Sequence, residues 1–448
     1  MATEGQRRRK NKTKAKAKRA SGPAGMNDLP DHVLELVLLR VGSSFDLIHA
    51  AFTCKPWRRI IAEPRFLSRF RSLHAPHVAG HYYHDVVDPC NRNTGGHVFL
   101  PAPSSSRDAL IGLDPCRFSL DFLPDPAPAE YGGSTNSSYW ELVDSRGGLL
   151  LFHRCETRSE LDSRCYLDDL LVCEPLTRRC QGILAPTGGK FFGLFLLDGE
   201  STGGGHGRSS IGISNFRVVA SLYDCADDYS RDVPSALVFH SGTGWREPEK
   251  SADIELLGYL ELSFAGRANG SFYWAMEKEP EEEDGAVLAL DEATMNYSLV
   301  TFPGTGLETA TDASTFRVVQ GEGAASRVVR LTGNELTVFA RHQGLGDWVP
   351  ERRVDISEAT LGLPGREEWH FQELTAAMIV AANARFVLVA PKREEEPCWI
   401  VSVELDTMQV ERADERIRCA GDVYPYELPW PPALQACTAH RRPGRRHR

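Results

Sequence analysis

Long apolar runs are missing from this 448-residue chain. Nowhere do eighteen apolar residues follow one another, which removes a transmembrane helix from consideration. The N-terminus is basic with no apolar stretch behind it, so it does not read as a secretory signal, and the nucleus and/or cytoplasm are the expected compartments. Close cysteine pairs are missing too: none of the eleven cysteines forms a C-x-x-C. The tightest group, Cys155, Cys165, Cys173 and Cys180, leaves nine, seven and six residues between successive members. Zinc sites use closer spacing, so the group reads as small buried hydrophobes on strands and no metal is expected. Sequons beginning at Asn11, Asn136, Asn269 and Asn296 are idle in a non-secreted chain.

Catalytic signatures are equally scarce. There is no H-E-x-x-H, no G-x-S-x-G and no complete phosphate loop; GILAPTGGKF (182–191) has Gly-Lys without the upstream glycine or the hydroxyl residue. GTGLET (304–309) falls short of a dinucleotide fingerprint. In HYYH (81–84) the two histidines are three apart, and on a strand they face opposite sides, which disfavours a metal pair. The eight tryptophans suit sheet cores better than ligand platforms. Neither a cofactor nor a catalytic residue is expected.

Charge is present but unevenly placed. The chain totals −10, yet residues 7–19 carry nine positive charges and the last nine residues carry five arginines. The remainder is therefore near −24, the fourteen positive charges of the two ends set aside. An acidic body with basic ends argues against a nucleic-acid-binding fold. Residues 1–25 and 437–448 read as disordered basic tails, the first with nuclear-import character. The acidic stretch 277–285 reads as a solvated loop.

Between these ends lie two textures. Residues 26–74 are helical, and 75–436 are a mainly β domain. Short β-branched and aromatic runs bounded by turn formers occur at 139–152, 169–184, 216–224, 235–242 and 270–276, and continue at 286–302, 316–320, 327–341, 385–390 and 398–413. SRGG (145–148) and Gly333-Asn334 read as hairpin turns. A phrase recurs in VCEPLTRRCQGIL, LALDEATMNYSLVTF and VSVELDTMQVERA: an apolar strand ending in a polar residue plus a Thr or Ala, a bend with Leu/Glu/Asp-x-x-Thr or similar, then a second strand. Such weak periodicity suggests repeated four-stranded units over one sandwich. At about 40–45 residues per unit, and with apparent excursions at 101–109, 125–138, 198–210 and 277–285, a propeller-like domain of six or seven blades is expected.

In the helical segment, Pro30 suits a first turn, with Asn27 or Asp28 as a cap and Asp31 near the positive helix end. Leu34, Val37, Leu38 and Val41 form one stripe, with Gly42 as the stop. Asp46 could cap a second helix bearing Leu47, Ile48, Ala51 and Phe52. Pro56 opens a third with Trp57, Ile60 and Ile61, which Pro64 ends. So small a unit cannot bury all this surface alone, which leaves two readings: packing onto the β domain or docking to another protein.

The order of these residues resembles the F-box: Leu29-Pro30, Leu34, Val37-Leu38, Val41, Asp46-Leu47, Ala51, Cys54-Lys55, Trp57-Arg58, Ile60-Ile61 and Pro64-Arg65-Phe66. The departures are Thr53 where an aliphatic residue is usual, and Pro56 between lysine and tryptophan. The resemblance implies a three-helix module that docks on a Skp-type adaptor and through it on a cullin. Carried over by position, Leu29, Pro30, Leu34, Val37, Leu38, Cys54, Lys55 and Trp57 are the candidates for adaptor contact or its immediate support. The β segment, including YPYELPWPPAL (424–434), is similar to the associated domains of plant F-box proteins. The fold class implied is an α+β multidomain chain, the F-box module preceding a propeller-like domain. The function implied is a substrate receptor of an SCF-type ubiquitin ligase, non-catalytic, binding an unknown target protein and neither nucleic acid nor membrane. The alternatives are a propeller-fold enzyme and a binding scaffold that never reaches a cullin.

Overall fold

The computed structural model describes residues 29–42, 44–74, 78–85, 96–101, 115–126, 138–156, 169–185, 190–199, 211–223, 231–246, 254–257, 262–276, 287–302, 314–321, 325–341, 348–372, 377–392, 399–414 and 423–428. Both basic tails, the acidic stretch 277–285, GTGLET and most of the suspected excursions lie outside these residues. The chain divides into two compact units, one ending its helices at Leu73 and the other running from His74 to Pro432.

The first unit has four helices, not three: α1 (Asp31–Leu38), α2 (Ser44–Thr53), α3 (Lys55–Ile61) and α4 (Pro64–Leu73). Pro64 opens α4 where a stop was expected. The Glu63 carbonyl accepts the Leu67 N–H at 3.1 Å, so Pro64 takes the first helical position, where a missing N–H costs nothing. Pro30 lies one place outside α1: its ψ of 145° is extended, and its carbonyl accepts the Val33 and Leu34 N–H groups. α1 stops at Leu38, with Leu39 as its C-cap, short of Gly42. Asp46 sits inside the first turn of α2, where its charge meets the helix dipole. Leu34, Leu38, Leu47, Ile61, Phe66 and Phe70 are all buried.

The second unit is built from antiparallel sheets. The first starts with β1 (Val78–Asp85) and β2 (Gly96–Pro101). The second holds β3 (Ser138–Arg146), β4 (Leu149–Glu156), β5 (Leu170–Glu174) and β6 (Arg179–Ile183). The third joins β7 (Lys190–Asp198), β8 (Phe216–Tyr223), β10 (Ser235–His240) and β11 (Gly244–Arg246); β9 (Arg231–Asp232) leaves it to pair with β12 (Leu256–Leu257). The fourth is β13 (Leu262–Ala268), β14 (Ser271–Met276), β15 (Val287–Asp291) and β16 (Tyr297–Val300). The fifth is β17 (Phe316–Gln320), β18 (Ser326–Thr332), β19 (Glu335–Arg341) and β20 (Trp348–Asp355), followed by the short α5 (Ile356–Ala359). The sixth is β21 (Ala377–Ala382), β22 (Phe386–Pro391), β23 (Val401–Glu404) and β24 (Val410–Arg412). Finally β25 (Tyr424–Glu427) returns to pair antiparallel with β1.

The fourth and fifth are the two halves of one eight-stranded sheet, joined by a single parallel pairing of β13 with β17, Gly266 with Val318. A Cβ on Gly266 would lie 2.0 Å from the Val318 carbonyl oxygen, and its φ is +136°, so only glycine admits this approach. Gly147 and Gly148 (φ 58° and 85°) make the β3–β4 hairpin turn at the expected place, both in the conformation a two-residue turn demands.

Side chains alternate between two burial layers. In β4, Leu149 and Leu151 pack with Leu196 and Val218 of the third sheet, while Leu150 and Phe152 pack with Tyr82 and Tyr426 of the first. Both faces are covered, which is why LLLF has no polar alternation. The third and fourth sheets share Phe195, Val219, Trp274 and Leu288. The fourth and fifth share Ala265, Val287, Val318 and Val328. The fifth and sixth share Val329, Val338, Val389 and Val401. Leu388 and Ile400 of the sixth pack with Tyr83 and Leu100 of the first. Each fully buried Leu, Val or Phe contributes about 1.5–3 kcal/mol relative to exposure.

The recurring phrase has one structural meaning. In all three copies it is the corner between the third and fourth strands of a sheet: β5–β6, β15–β16 and β23–β24. The threonine hydroxyl donates to the acidic residue three before it, Thr294 to Asp291 and Thr407 to Glu404 at 2.8 Å each, and Thr177 to Glu174. The next residue, Arg178, Met295 or Met408, takes a left-handed φ of 55–57° that turns the chain.

Candidate functional site

Helix α1 carries apolar residues on two sides. Leu34 and Leu38, four apart, face inward at 2% exposure each. Leu36 and Val37 stand out at 54% and 41%, with Leu29 at 38% just before the helix. On a 100° wheel Val33, Leu36 and Val37 cluster on one side, roughly opposite Leu38. The expected single stripe of Leu34, Val37, Leu38 and Val41 therefore splits: Val37 belongs to the outer side, and Val41 lies beyond the helix end. Phe52 on α2 is 66% exposed, with the Arg58 guanidinium 5.7 Å from its ring centre.

The other sequence candidates take distinct places. Pro30 and Lys55 are exposed and Cys54 is half-buried. Cys54 is the N-cap of α3 in an extended conformation, without a side-chain capping bond. Trp57 is half-buried, and its indole Nε1 is buried without a hydrogen-bond partner among the described residues. Leu34 and Leu38 thus support the surface from beneath, whereas Leu29, Pro30, Val37 and Lys55 are on it. Thr53, which stands where an aliphatic residue is usual, is exposed, and its hydroxyl donates to the Ala50 carbonyl at 2.7 Å. Arg58 Nε donates to the Ala51 carbonyl at 3.1 Å, completing the C-terminus of α2. Arg59–Asp31 and Arg69–Glu35 link α3 and α4 to α1; both pairs are largely exposed and add little stability.

Leu36 escaped the sequence reading, and Phe52, read there as part of the second apolar stripe, instead faces outward. The signal was there for Leu36: Leu36 to Leu39 are four consecutive apolar residues, more than one narrow stripe accommodates.

A second concentration of polar groups lies among the first four sheets. Arg146 at the end of β3 holds Asp198 of β7 through two bonds of 2.9 and 3.0 Å. Arg267 of β13 donates to Glu292 at 2.5 Å and to the Leu196 carbonyl at 3.0 Å, stands 4.0 Å from Asp144, and lies over the Phe272 ring. Asp144 accepts the Leu196 N–H at 2.6 Å, and Glu427 of β25 accepts the Gly147 N–H at 2.9 Å. Burial pushes Asp144 up to about 6, against the pull of Arg267, and burial also raises Glu427. Burial works the same way on Glu292, but the hydrogen bond and charge of Arg267 outweigh it and hold this carboxyl low. Every one of these four carboxylates is engaged by an arginine or a backbone N–H of another strand or turn, so the cluster reads as a fastening between sheets.

Elsewhere, His81 is buried and pushed down to about 4 by that burial, with its ring edge-on to Phe386. Trp274 and Trp399 are buried in sheet cores, whereas Trp140, Trp245, Trp348 and Trp369 are half-buried. Among the described residues no helix is long and apolar enough to cross a membrane.

Residues 26–69 match the family model described as the F-box domain. No curated protein sequence matches the chain. Among solved structures, the chain is similar to YjhT (10% identity, TM-score 0.35, covering 63% of this chain and 86% of that one). It is similar to AofleA from Arthrobotrys oligospora (11% identity, TM-score 0.35, covering 66% and 79%). It is similar also to the AtxE2 isopeptidase (9% identity, TM-score 0.26, covering 61%), of whose length it spans only 39%. Likeness at this level assigns no chemistry to any residue.

Proposed function

We propose that this chain is an F-box protein acting as the substrate-receptor subunit of an SCF-type ubiquitin ligase. The match of residues 26–69 to the F-box domain supports an adaptor-binding role. The observation that carries the reading further is the two-sided α1: one side completes the core of the module and the other presents Leu29, Leu36 and Val37 outward. Exposed apolar surface of this kind is what a docked partner covers. The adaptor would seat there, with Pro30, Lys55 and the half-buried Cys54 and Trp57 around it, and a cullin would follow through the adaptor.

The β unit would recruit the target. Six groups of three or four strands, two of them halves of one eight-stranded sheet, joined in sequence by six apolar layers, the last linking the sixth group to the first, support a six-bladed propeller with β25 as its clasp. The receptor performs no bond chemistry: it raises the effective concentration of a target lysine beside the ubiquitin-charged enzyme. The engaged state of Asp144, Asp198, Glu292 and Glu427 favours this receptor over a hydrolase working through the same carboxylates.

Co-purification of the full chain with a Skp-type adaptor tests the reading. A Leu36→Asp/Val37→Asp variant should keep its helical circular dichroism and lose at least about tenfold in adaptor affinity, since a central interface residue is commonly worth more than 1–2 kcal/mol. Undiminished binding by that variant would remove this face from the interface.

A further inference from the structure

The β3–β4 hairpin brings three different metal-ligating side chains to one place. Glu141 and His153 are direct cross-strand partners, and Cys155 is two residues beyond His153 on the same strand. Period-two alternation therefore puts all three on one face of the hairpin. The Cys155 Sγ lies 3.0 Å from Glu141 Oε2 and 3.4 Å from His153 Nδ1. One ligand atom from each residue lies within 4.8 Å of the others. His153 is 4% exposed and its ring is set edge-on against Phe191 of β7, which fixes its orientation; Glu141 is exposed and Cys155 half-buried, so solvent reaches the cluster from one side.

From these positions we propose that Glu141, His153 and Cys155 form a three-ligand site for a divalent transition-metal ion of the zinc class. Zn–S bonds of about 2.3 Å and Zn–N or Zn–O bonds of about 2.0 Å at tetrahedral angles place the other two ligand atoms about 3.5 Å from the sulfur, near the 3.0 and 3.4 Å present. The donor set is one thiolate, one imidazole and one carboxylate, which selects zinc-like ions over magnesium or calcium, whose ligands are all oxygen. A thiol has a single proton, and here it is donated to Glu141. On binding, that proton leaves to solvent, the sulfur lone pair takes its place at the ion, and one coordination position stays open on the exposed side for water or an incoming donor. Sequence spacing concealed the site because its members are joined by strand pairing; of the three clustered cysteines among the described residues, only Cys155 takes part.

Cobalt(II) titrated into the full-length protein tests this directly. One equivalent should give a saturable thiolate-to-cobalt charge-transfer band together with tetrahedral ligand-field bands, and zinc(II) should displace both. Cys155→Ser should abolish the charge-transfer band. Glu141→Gln, an exposed change, should keep the band and weaken binding at least about tenfold, since even outer-shell changes cost 10–100-fold. A Cys116→Ser/Cys180→Ser protein, lacking two exposed thiols elsewhere, should behave as wild type. Metal-free melting midpoints of the variants, matched to wild type, show that lost binding is not lost folding. A band that survives in Cys155→Ser, or cobalt binding without one-to-one saturation, overturns the site. Adaptor co-purification is independent of either result.

Discussion

The helical unit and the β unit solve the same burial problem in opposite ways. In the helices a single element has too much apolar surface: α1 buries Leu34 and Leu38 and still exposes Leu36 and Val37. In the β unit the apolar runs of β4, β5, β15 and β22 are covered on both faces, single residues such as Leu184, Leu299 and Leu361 stay exposed, and charge is paired between strands as Arg146–Asp198 and Arg267–Glu292. The leftover apolar surface of α1 points outward; the charge between the sheets is turned inward and paired. The contrast is between a short helix with two apolar sides and sheets fastened to one another by paired charge.

Substitutions can break that contrast, beginning with the largest effect. Leu34→Asp should unfold the helical unit and abolish adaptor binding together, a loss of several kcal/mol for an unpaired charge in a core, read by circular dichroism and proteolysis. The Leu36→Asp/Val37→Asp protein should lose only the binding. In the β unit, Arg146→Met should lower stability by about 1.5–3 kcal/mol by removing its two hydrogen bonds to the Asp198 carboxylate, and Arg146→Met/Asp198→Leu should restore most of it in denaturant melts.

A smaller effect concerns pH. Asp144 titrates near 6 in the folded chain, above its ordinary carboxylate value, so the folded state binds the extra proton between about pH 4 and 6. Its contribution is therefore fully present below about pH 4 and is lost as pH rises through 6. Asp144→Asn keeps an acceptor for the Leu196 N–H and should flatten that slope. The difference between the two stability profiles should change by about 1–3 kcal/mol across the window, favouring the variant at neutral pH. Smallest of all, Trp57→Phe should shift stability by less than about 1 kcal/mol, because the indole N–H it removes is already unpaired.

Local rules carried much of this into the sequence. Strand positions were legible because β-branched and aromatic runs were punctuated by turn formers, and the β3–β4 turn was legible because two glycines permit what other residues resist. The acidic-x-x-Thr phrase was visible as a weak repeat; that Arg178, Met295 and Met408 share a left-handed φ was not, since neither arginine nor methionine advertises it. Pro64 was misread because proline both ends one helix and begins the next, and only the Glu63 carbonyl decides which. The buried ion pairs and the Glu141–His153–Cys155 cluster were beyond reach: both depend on which strands lie side by side, and no local pattern encodes that.

The pairing of β25 with β1 has a consequence for synthesis. Glu427 reaches back 280 residues to the Gly147 N–H, so the first sheet stays open until nearly all of the β unit has left the ribosome. A message truncated before codon 424 yields a protein with a bare strand edge and an uncovered Tyr82, the kind of surface on which chaperones and neighbouring nascent chains compete.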